Sequence, residues 1–221
     1  MRTVGLLHTV PALAGTFDEL IRARDGDLRR VHLVDGWLLD TARRSGVTTE
    51  VADAVAGHVR HLATAGADAV LVTCSSIGEA AEAAARYVTV PVIRVDAAMA
   101  DEAVTIASSG TGRIAVLATL TSTLGPTQRL VERTAGRTGH RVEVTAQVVP
   151  DAADAHDRGD RDRVTSLVAA AVAEAAGTAD VIVLAQASMA GAAQLAQVTV
   201  PVLSSPDGGV RSLLDALSEL S

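Results

Sequence analysis

Lysine is absent from this chain: all nineteen basic residues among its 221 are arginines. A pyridoxal phosphate enzyme needs a lysine for its Schiff base and a P-loop needs one for the phosphates, so both chemistries are excluded by inventory. Cysteine occurs once, at Cys74, which rules out an internal disulfide and fits a reducing compartment. Only three aromatics occur, Phe17, Trp37 and Tyr87, and the net charge is −7. Nucleic-acid surfaces want basic stripes and stacking platforms, so no nucleic-acid partner is expected. No stretch approaches the roughly 18 uninterrupted apolar residues of a membrane span, and the first eight residues turn polar too soon for a signal peptide. The expectation is a cytoplasmic protein with no membrane partner.

What is present centres on Ala69-Val-Leu-Val-Thr-Cys-Ser-Ser-Ile-Gly78. Ala69 to Val72 read as a parallel-type strand covered on both faces. Thr73 to Ser76 make a turn, and Gly78 to Arg86 form a helix, with Ser76 as N-cap and Glu79 completing a capping box. Cys74 therefore falls where a strand's carboxyl end meets a helix amino terminus, the place where open α/β sheets bind ligands. Free N–H groups and the helix dipole there are expected to favour an anion and lower the thiol pKa. The alternative is a lone cysteine acting as a small buried hydrophobe.

Strands and helices alternate on either side. Thr3 to Leu7 is a first strand ending at His8, with Thr16 capping a helix through Arg22; Arg30 to Val34 is a second. Trp37 to Arg44 and Thr48 to Ala65 read as helices, and Val90 to Val95 as a strand. Asp96 to Ser108 is helical, Gly110-Thr-Gly112 a turn rather than a phosphate loop, and Arg113 to Ala118 an apolar strand that ends in a hydroxyl cluster, Thr119 to Thr123. Gly125-Pro126 starts or interrupts the next helix, which runs to Arg137. Val142 to Val148 is a strand, 151–160 a charged loop and candidate lid carrying His156, and Val164 to Ala176 a helix. Alternation of this kind predicts parallel sheets with right-handed crossovers.

The last third repeats the first. Ala179-Asp-Val-Ile-Val-Leu-Ala-Gln-Ala-Ser-Met-Ala190, followed by Val198-Thr-Val-Pro-Val202, echoes Ala67 to Gly78 followed by Val88-Thr-Val-Pro-Val92. With one residue of slack, Ala187-Ser188 falls opposite Cys74-Ser75. The predicted fold class is α/β with two pseudo-symmetric lobes, each a mostly parallel sheet flanked by helices. The lobes are residues 1–95 with a final helix in 205–221, and residues 96–204. A duplication of this kind is expected to set two equivalent strand ends across one cleft.

The duplicated strand–Cys–Ser/Thr pattern resembles the aspartate/glutamate/hydantoin racemase superfamily, which includes arylmalonate decarboxylase and maleate isomerase. The resemblance spans essentially the whole chain. It rests on Thr73-Cys74-Ser75-Ser76, on Thr119 with Thr121, Ser122 and Thr123, and on Gln186-Ala187-Ser188-Met189. It implies a cofactor-free active site between the lobes, frequent homodimers or higher homo-oligomers, no metal, and a small carboxylate substrate. In the family's racemases one cysteine from each half works on opposite faces of the α-carbon. By position Cys74 matches the first-half cysteine. Thr73, Ser75, Ser76, Thr119, Thr121 and Thr123 match carboxylate-binding positions, and Ser188 with its backbone matches the second-half turn.

The chain departs from the pattern at Ala187, read as the second cysteine's position, because alanine carries no proton. Three readings follow. In an isomerase, Ser188, a histidine such as His8 or His156, or a water acts opposite Cys74. In a decarboxylase one acid suffices, and because arylmalonate decarboxylase keeps its single cysteine in the second half, this chain is expected to protonate from the opposite face. Leu120, Leu124, Ile77 and Met189 are candidates for that substrate's apolar pocket, or ordinary core. The third reading is a binding homologue without catalysis. His58 and His61 share a helix face but lack a third metal ligand nearby. Asp35 either lines the cleft mouth or caps the following helix.

Overall fold

Eight parallel strands form two four-stranded sheets in the computed structural model, which describes residues 1–220. The chain divides into two units, Met1–Val95 together with the segment from Pro206 on, and Asp96–Ser205. Both are α/β units with helices flanking an all-parallel sheet.

In the first unit β1 (Thr3–His8), β2 (Arg29–Val34), β3 (Ala69–Val72) and β4 (Val92–Arg94) take the order β2-β1-β3-β4. Every residue of β1 and β3 is buried, as expected for central strands covered on both faces. The helices are α1 (Pro11–Arg24), α2 (Gly36–Ser45), α3 (Thr49–Thr64) and α4 (Gly78–Ala84), with short 3₁₀ turns at Ser75–Ile77 and Ala85–Tyr87. On α3, Val51, Val55, Val59 and Leu62 lie on one buried stripe against Val70 and Val72 of β3. Each such side chain contributes about 1.5–3 kcal/mol over leaving it exposed. Thr48 caps α3 by accepting from the Val51 N–H, and Asp35 caps α2 by accepting from the Trp37 N–H.

The second unit continues with α5 (Ala97–Ser108), β5 (Arg113–Ala118), α6 (Thr121–Thr138), β6 (Glu143–Val148), α7 (Ala152–Asp157), α8 (Arg161–Ala175), β7 (Val181–Leu184), a 3₁₀ turn at Ala187–Met189, α9 (Ala190–Leu195) and β8 (Val202–Ser204). Its order, β6-β5-β7-β8, reproduces that of the first sheet. The duplication extends to single hydrogen bonds. The Asp68 carboxylate accepts from the Thr3 N–H at 2.7 Å, and the Asp180 carboxylate from the Arg113 N–H at 2.8 Å. Thr73 N–H donates to the Leu7 carbonyl, and Ala185 N–H to that of Leu117. Val70 N–H donates to Pro91, and Ile182 N–H to Pro201, so the Val-Thr-Val-Pro segments lead into β4 and β8 rather than forming their bodies.

Helix α10 (Ser205–Ser218) belongs from Pro206 on to the first unit. Arg2 donates to the Leu217 carbonyl, and Arg24 pairs with Asp207. Gly209 permits the approach: a Cβ there would stand 2.8 Å from Val95 Cγ2 and 2.9 Å from the Val95 carbonyl oxygen. Gly209→Ala is expected to destabilise the first unit by about 1–3 kcal/mol, the usual cost of overpacking, read as a lower urea midpoint. An unchanged midpoint would show that α10 shifts away freely.

Several local expectations are corrected. Thr16 is not a cap, because α1 starts at Pro11, whose fixed φ and missing N–H suit the first helical position. Ser76 is not the N-cap of α4: it lies inside the 3₁₀ turn, and Ile77 precedes the helix without a side-chain cap. Helix α6 runs through Pro126 instead of starting there, so Thr121 and Thr123 belong to its first turn. The charged segment 151–160 is no open loop, since α7 fills most of it and Ala152 and Ala155 are buried. Among the described residues no helix is long and apolar enough to cross a membrane.

Candidate active site

In the first sheet the chain leaves β1 toward β2 on one side and returns to β3 on the other. At such a reversal, here beyond the carboxyl ends of β1 and β3, open parallel sheets bind their ligands. The residues there are His8, the last of β1, with Thr9 after it, and Thr73, Cys74, Ser75 and Ser76 after β3. Thr73 still pairs with β1 through its N–H; Cys74 is extended (φ −122°, ψ 115°) and leads into the 3₁₀ turn. Cys74 is half-buried and Ser75 and Ser76 are buried.

Burial pushes the Cys74 thiol above its ordinary pKa. The Thr9 hydroxyl, the N–H groups of Ser76 and Ile77, and the Ser76 hydroxyl oppose that rise without cancelling it. The expectation of a lowered pKa is therefore corrected: desolvation outweighs the donors of one 3₁₀ turn, and α4, with seven residues, supplies little dipole. The resting thiol keeps its proton at neutral pH, the form needed to donate one. Two hydroxyls beside it, Thr9 Oγ1 and Ser75 Oγ, are buried and make no formed hydrogen bond. A buried unsatisfied hydroxyl costs about 1–3 kcal/mol, which a ligand accepting from it returns.

His8 is fully buried and has both ring nitrogens engaged. Its Nδ1 lies 2.9 Å from Thr73 Oγ1, and its Nε2 lies 3.0 Å from Nδ1 of His32, whose ring stacks on it. Because the Thr73 hydroxyl donates to the Leu7 carbonyl at 3.1 Å, it accepts from His8 Nδ1–H. The pattern thus assigns the proton of His8 to Nδ1 and leaves Nε2 to accept from His32. His32 Nε2 faces Asp18 Oδ1 at 3.6 Å. Burial, reinforced by repulsion from His32, lowers the His8 pKa to about 4. His8 is therefore a neutral residue whose ring bonds Thr73, the residue before the cysteine.

Arg94, at the end of β4, was not singled out by the sequence reading, although it is the one charged residue of Val90 to Val95. Its buried guanidinium bonds Glu82 at 2.8 Å and lies against Gly78, where a Cβ would stand 2.5 Å from Nη2.

The second unit places Thr119, Thr121, Thr123, Gln186, Ala187 and Ser188 at the ends of β5 and β7. Thr119 and Thr123 are buried; Thr121 and Ser188 are exposed. Here the repeat corrects the sequence alignment by one residue. The ladder matches Thr73 with Ala185, and the 3₁₀ turns Ser75–Ile77 and Ala187–Met189 match each other. The counterpart of Cys74 is Gln186 (φ −121°, ψ 137°), not Ala187, and Ser188 is the counterpart of Ser76. Gln186 Oε1 accepts from the Thr119 N–H at 2.6 Å and from its hydroxyl at 3.0 Å.

The remaining candidates fall elsewhere. Ile77, Leu120 and Met189 are buried in the units' interiors, and Leu124 packs against the core of the second. His58 Nε2 bonds Asp35 Oδ2 at 2.7 Å, which ties α3 to the cap of α2, and His156 lies 3.6 Å from Asp157. Among the described residues no three or more His, Cys, Asp or Glu gather as a metal site.

Comparison with known proteins agrees with this architecture. Glutamate racemase RacE1 from Bacillus anthracis superposes with a TM-score of 0.75 at 18% identity, covering 100% of this chain and 83% of the other. Allantoin racemase from Klebsiella pneumoniae gives 0.69 at 17% identity, covering 99% and 89%. A glycine-to-cysteine mutant of arylmalonate decarboxylase, in its sulfate-associated form, gives 0.60 at 18% identity, covering 100% and 95%. A search of curated protein sequences gave no match. The family model described as Asp/Glu/Hydantoin racemase matches residues 3–213, nearly the whole chain. The protein belongs to the Asp/Glu/hydantoin racemase family.

Proposed function

We propose that this protein is a cofactor-independent enzyme of racemase or isomerase type, making or breaking a C–H bond at the α-carbon of a small carboxylate, with Cys74 carrying the proton. The observation that supports it most is the end of β3: a half-buried thiol that keeps its proton, beside two buried hydroxyls with no formed hydrogen bond. Such a group delivers a proton to a carbanionic carbon, while hydroxyls and backbone N–H groups stabilise the charge on the adjoining carboxylate. The chain contains no lysine for a pyridoxal Schiff base, which supports cofactor independence.

A decarboxylase of malonate-type substrates is the second reading, and Gln186 favours it. An amide in the place equivalent to Cys74 can donate hydrogen bonds but cannot return a proton, and a decarboxylase needs only one proton carrier. Proton NMR in deuterated buffer over amino acids, hydantoins and aryl- or alkylmalonates separates the two. Deuterium entering an α-carbon without loss of carbon dioxide supports the isomerase; one deuteron added with loss of carbon dioxide supports the decarboxylase. If neither reaction depends on Cys74, the enzymatic reading fails and a binding homologue replaces it.

A further inference from the structure

The repeat gives Thr9 a counterpart whose role is visible. Leu7 and Leu117 pair with Val72 and Leu184 respectively, so Thr9, two residues beyond Leu7, matches Thr119, two beyond Leu117. In the second unit Thr119 donates its hydroxyl and its N–H to Gln186, the residue equivalent to Cys74. In the first unit Thr9 is only 3% exposed, and its hydroxyl makes no formed hydrogen bond yet acts on the cysteine sulfur. A neutral thiol is a weak acceptor, which leaves such a donor unused; a thiolate is a strong one.

We propose that Thr9 is the hydrogen-bond donor reserved for the Cys74 thiolate, stabilising the charge that appears on sulfur when the proton leaves. In the transfer step the S–H bond breaks, a C–H bond forms at the carbanionic carbon, and the electron pair left on sulfur accepts the Thr9 O–H. The donor is worth more to the thiolate than to the thiol, so it lowers the barrier instead of merely holding the ground state. His8, the preceding residue, is fixed by Thr73 and His32, which anchors the backbone that carries Thr9. This role rests on the reading of Cys74 as the proton carrier, and it accounts for a buried hydroxyl otherwise left without a partner.

The test reads the sulfur without any substrate. The full-length protein is alkylated with iodoacetamide across a range of pH, and the rate and its midpoint are followed for wild type, Thr9→Val, Thr9→Ser and Thr119→Val. Thr9→Val is expected to slow alkylation near neutral pH about tenfold and to raise the midpoint by about one unit, because only the thiolate reacts. Thr9→Ser retains the donor and should stay close to wild type, as should Thr119→Val. A Thr9→Val protein with the wild-type rate and midpoint overturns the proposal, as does a Thr119→Val protein slowed to the same degree. Where valine disturbs folding, Thr9→Ala is compared with Thr9→Ser, and equal rates again overturn it. Loss of the proton-carrier reading would instead show as turnover surviving in Cys74→Ala, leaving the alkylation result intact.

Discussion

Cys74→Ala is expected to lower turnover of the protein's substrate by about a thousandfold while leaving the fold in place. General acid–base groups contribute roughly 10²–10⁴-fold to rates, and no second thiol exists in the chain to substitute. The counterpart position holds Gln186, whose amide has no proton to give at accessible pH. Cys74→Ser should fall nearly as far, because a hydroxyl with no base beside it transfers protons poorly near neutrality. His8 does not rescue it: its Nδ1–H is committed to Thr73 and its Nε2 to His32. The thiol is half-buried at the edge of the core, so the alanine variant should unfold within about 1 kcal/mol of wild type. The measurement is deuterium incorporation, or release of carbon dioxide, for wild type and both variants on whichever substrate the panel identifies. An alanine variant within tenfold of wild type would remove Cys74 from the chemistry.

Much of the architecture was legible because it is written in residues that do not depend on distant partners. Ala69 to Val72 and Arg113 to Ala118 are apolar runs too short and too β-branched for helices, and the Val51, Val55, Val59, Leu62 stripe has helical period; all became the elements expected. Parallel sheets hide other information. Register is set by ladder bonds between strands far apart in sequence, so one residue of slack in the strand suffices to align Cys74 with Ala187. The bonds of Thr73 to Leu7 and Ala185 to Leu117 decide it in favour of Gln186. The charge-rich segment 151–160 looked like a loop because its few apolar residues are alanines, and only packing against the core makes Ala152 and Ala155 informative. The pairing of His8 with His32 follows from neighbouring strands in register, Leu6 opposite His32 and His8 opposite Val34, which no local pattern reveals. Thr9 was within reach: a threonine follows both β1 and β5, and comparing the two repeats there would have singled it out.

That histidine pair makes the first unit's stability depend on pH in a defined direction. In the unfolded chain His8 takes up a proton below its ordinary pKa of 6.5; in the fold it resists protonation down to about 4, chiefly through burial and secondarily through repulsion from His32. Between those values the unfolded state binds more protons, so stability is present above pH 6.5 and is lost as pH falls toward 4. At 1.36 kcal/mol per unit, His8 alone removes roughly 3 kcal/mol across that window. The structural event is a collision of donors: a proton on His8 Nε2 would face the Nδ1–H of His32 3.0 Å away, breaking the bond that steadies the His8 ring from the side opposite Thr73. His8→Gln lacks the titration while remaining polar enough to bond Thr73. Its unfolding free energy should therefore fall about 3 kcal/mol less than that of wild type between pH 7 and pH 4, measured by urea unfolding at both. Parallel pH dependence of the two would mean that His8 is protonated as readily in the fold as out of it, and that Thr73 is held by the Leu7 carbonyl and its own ladder bond instead.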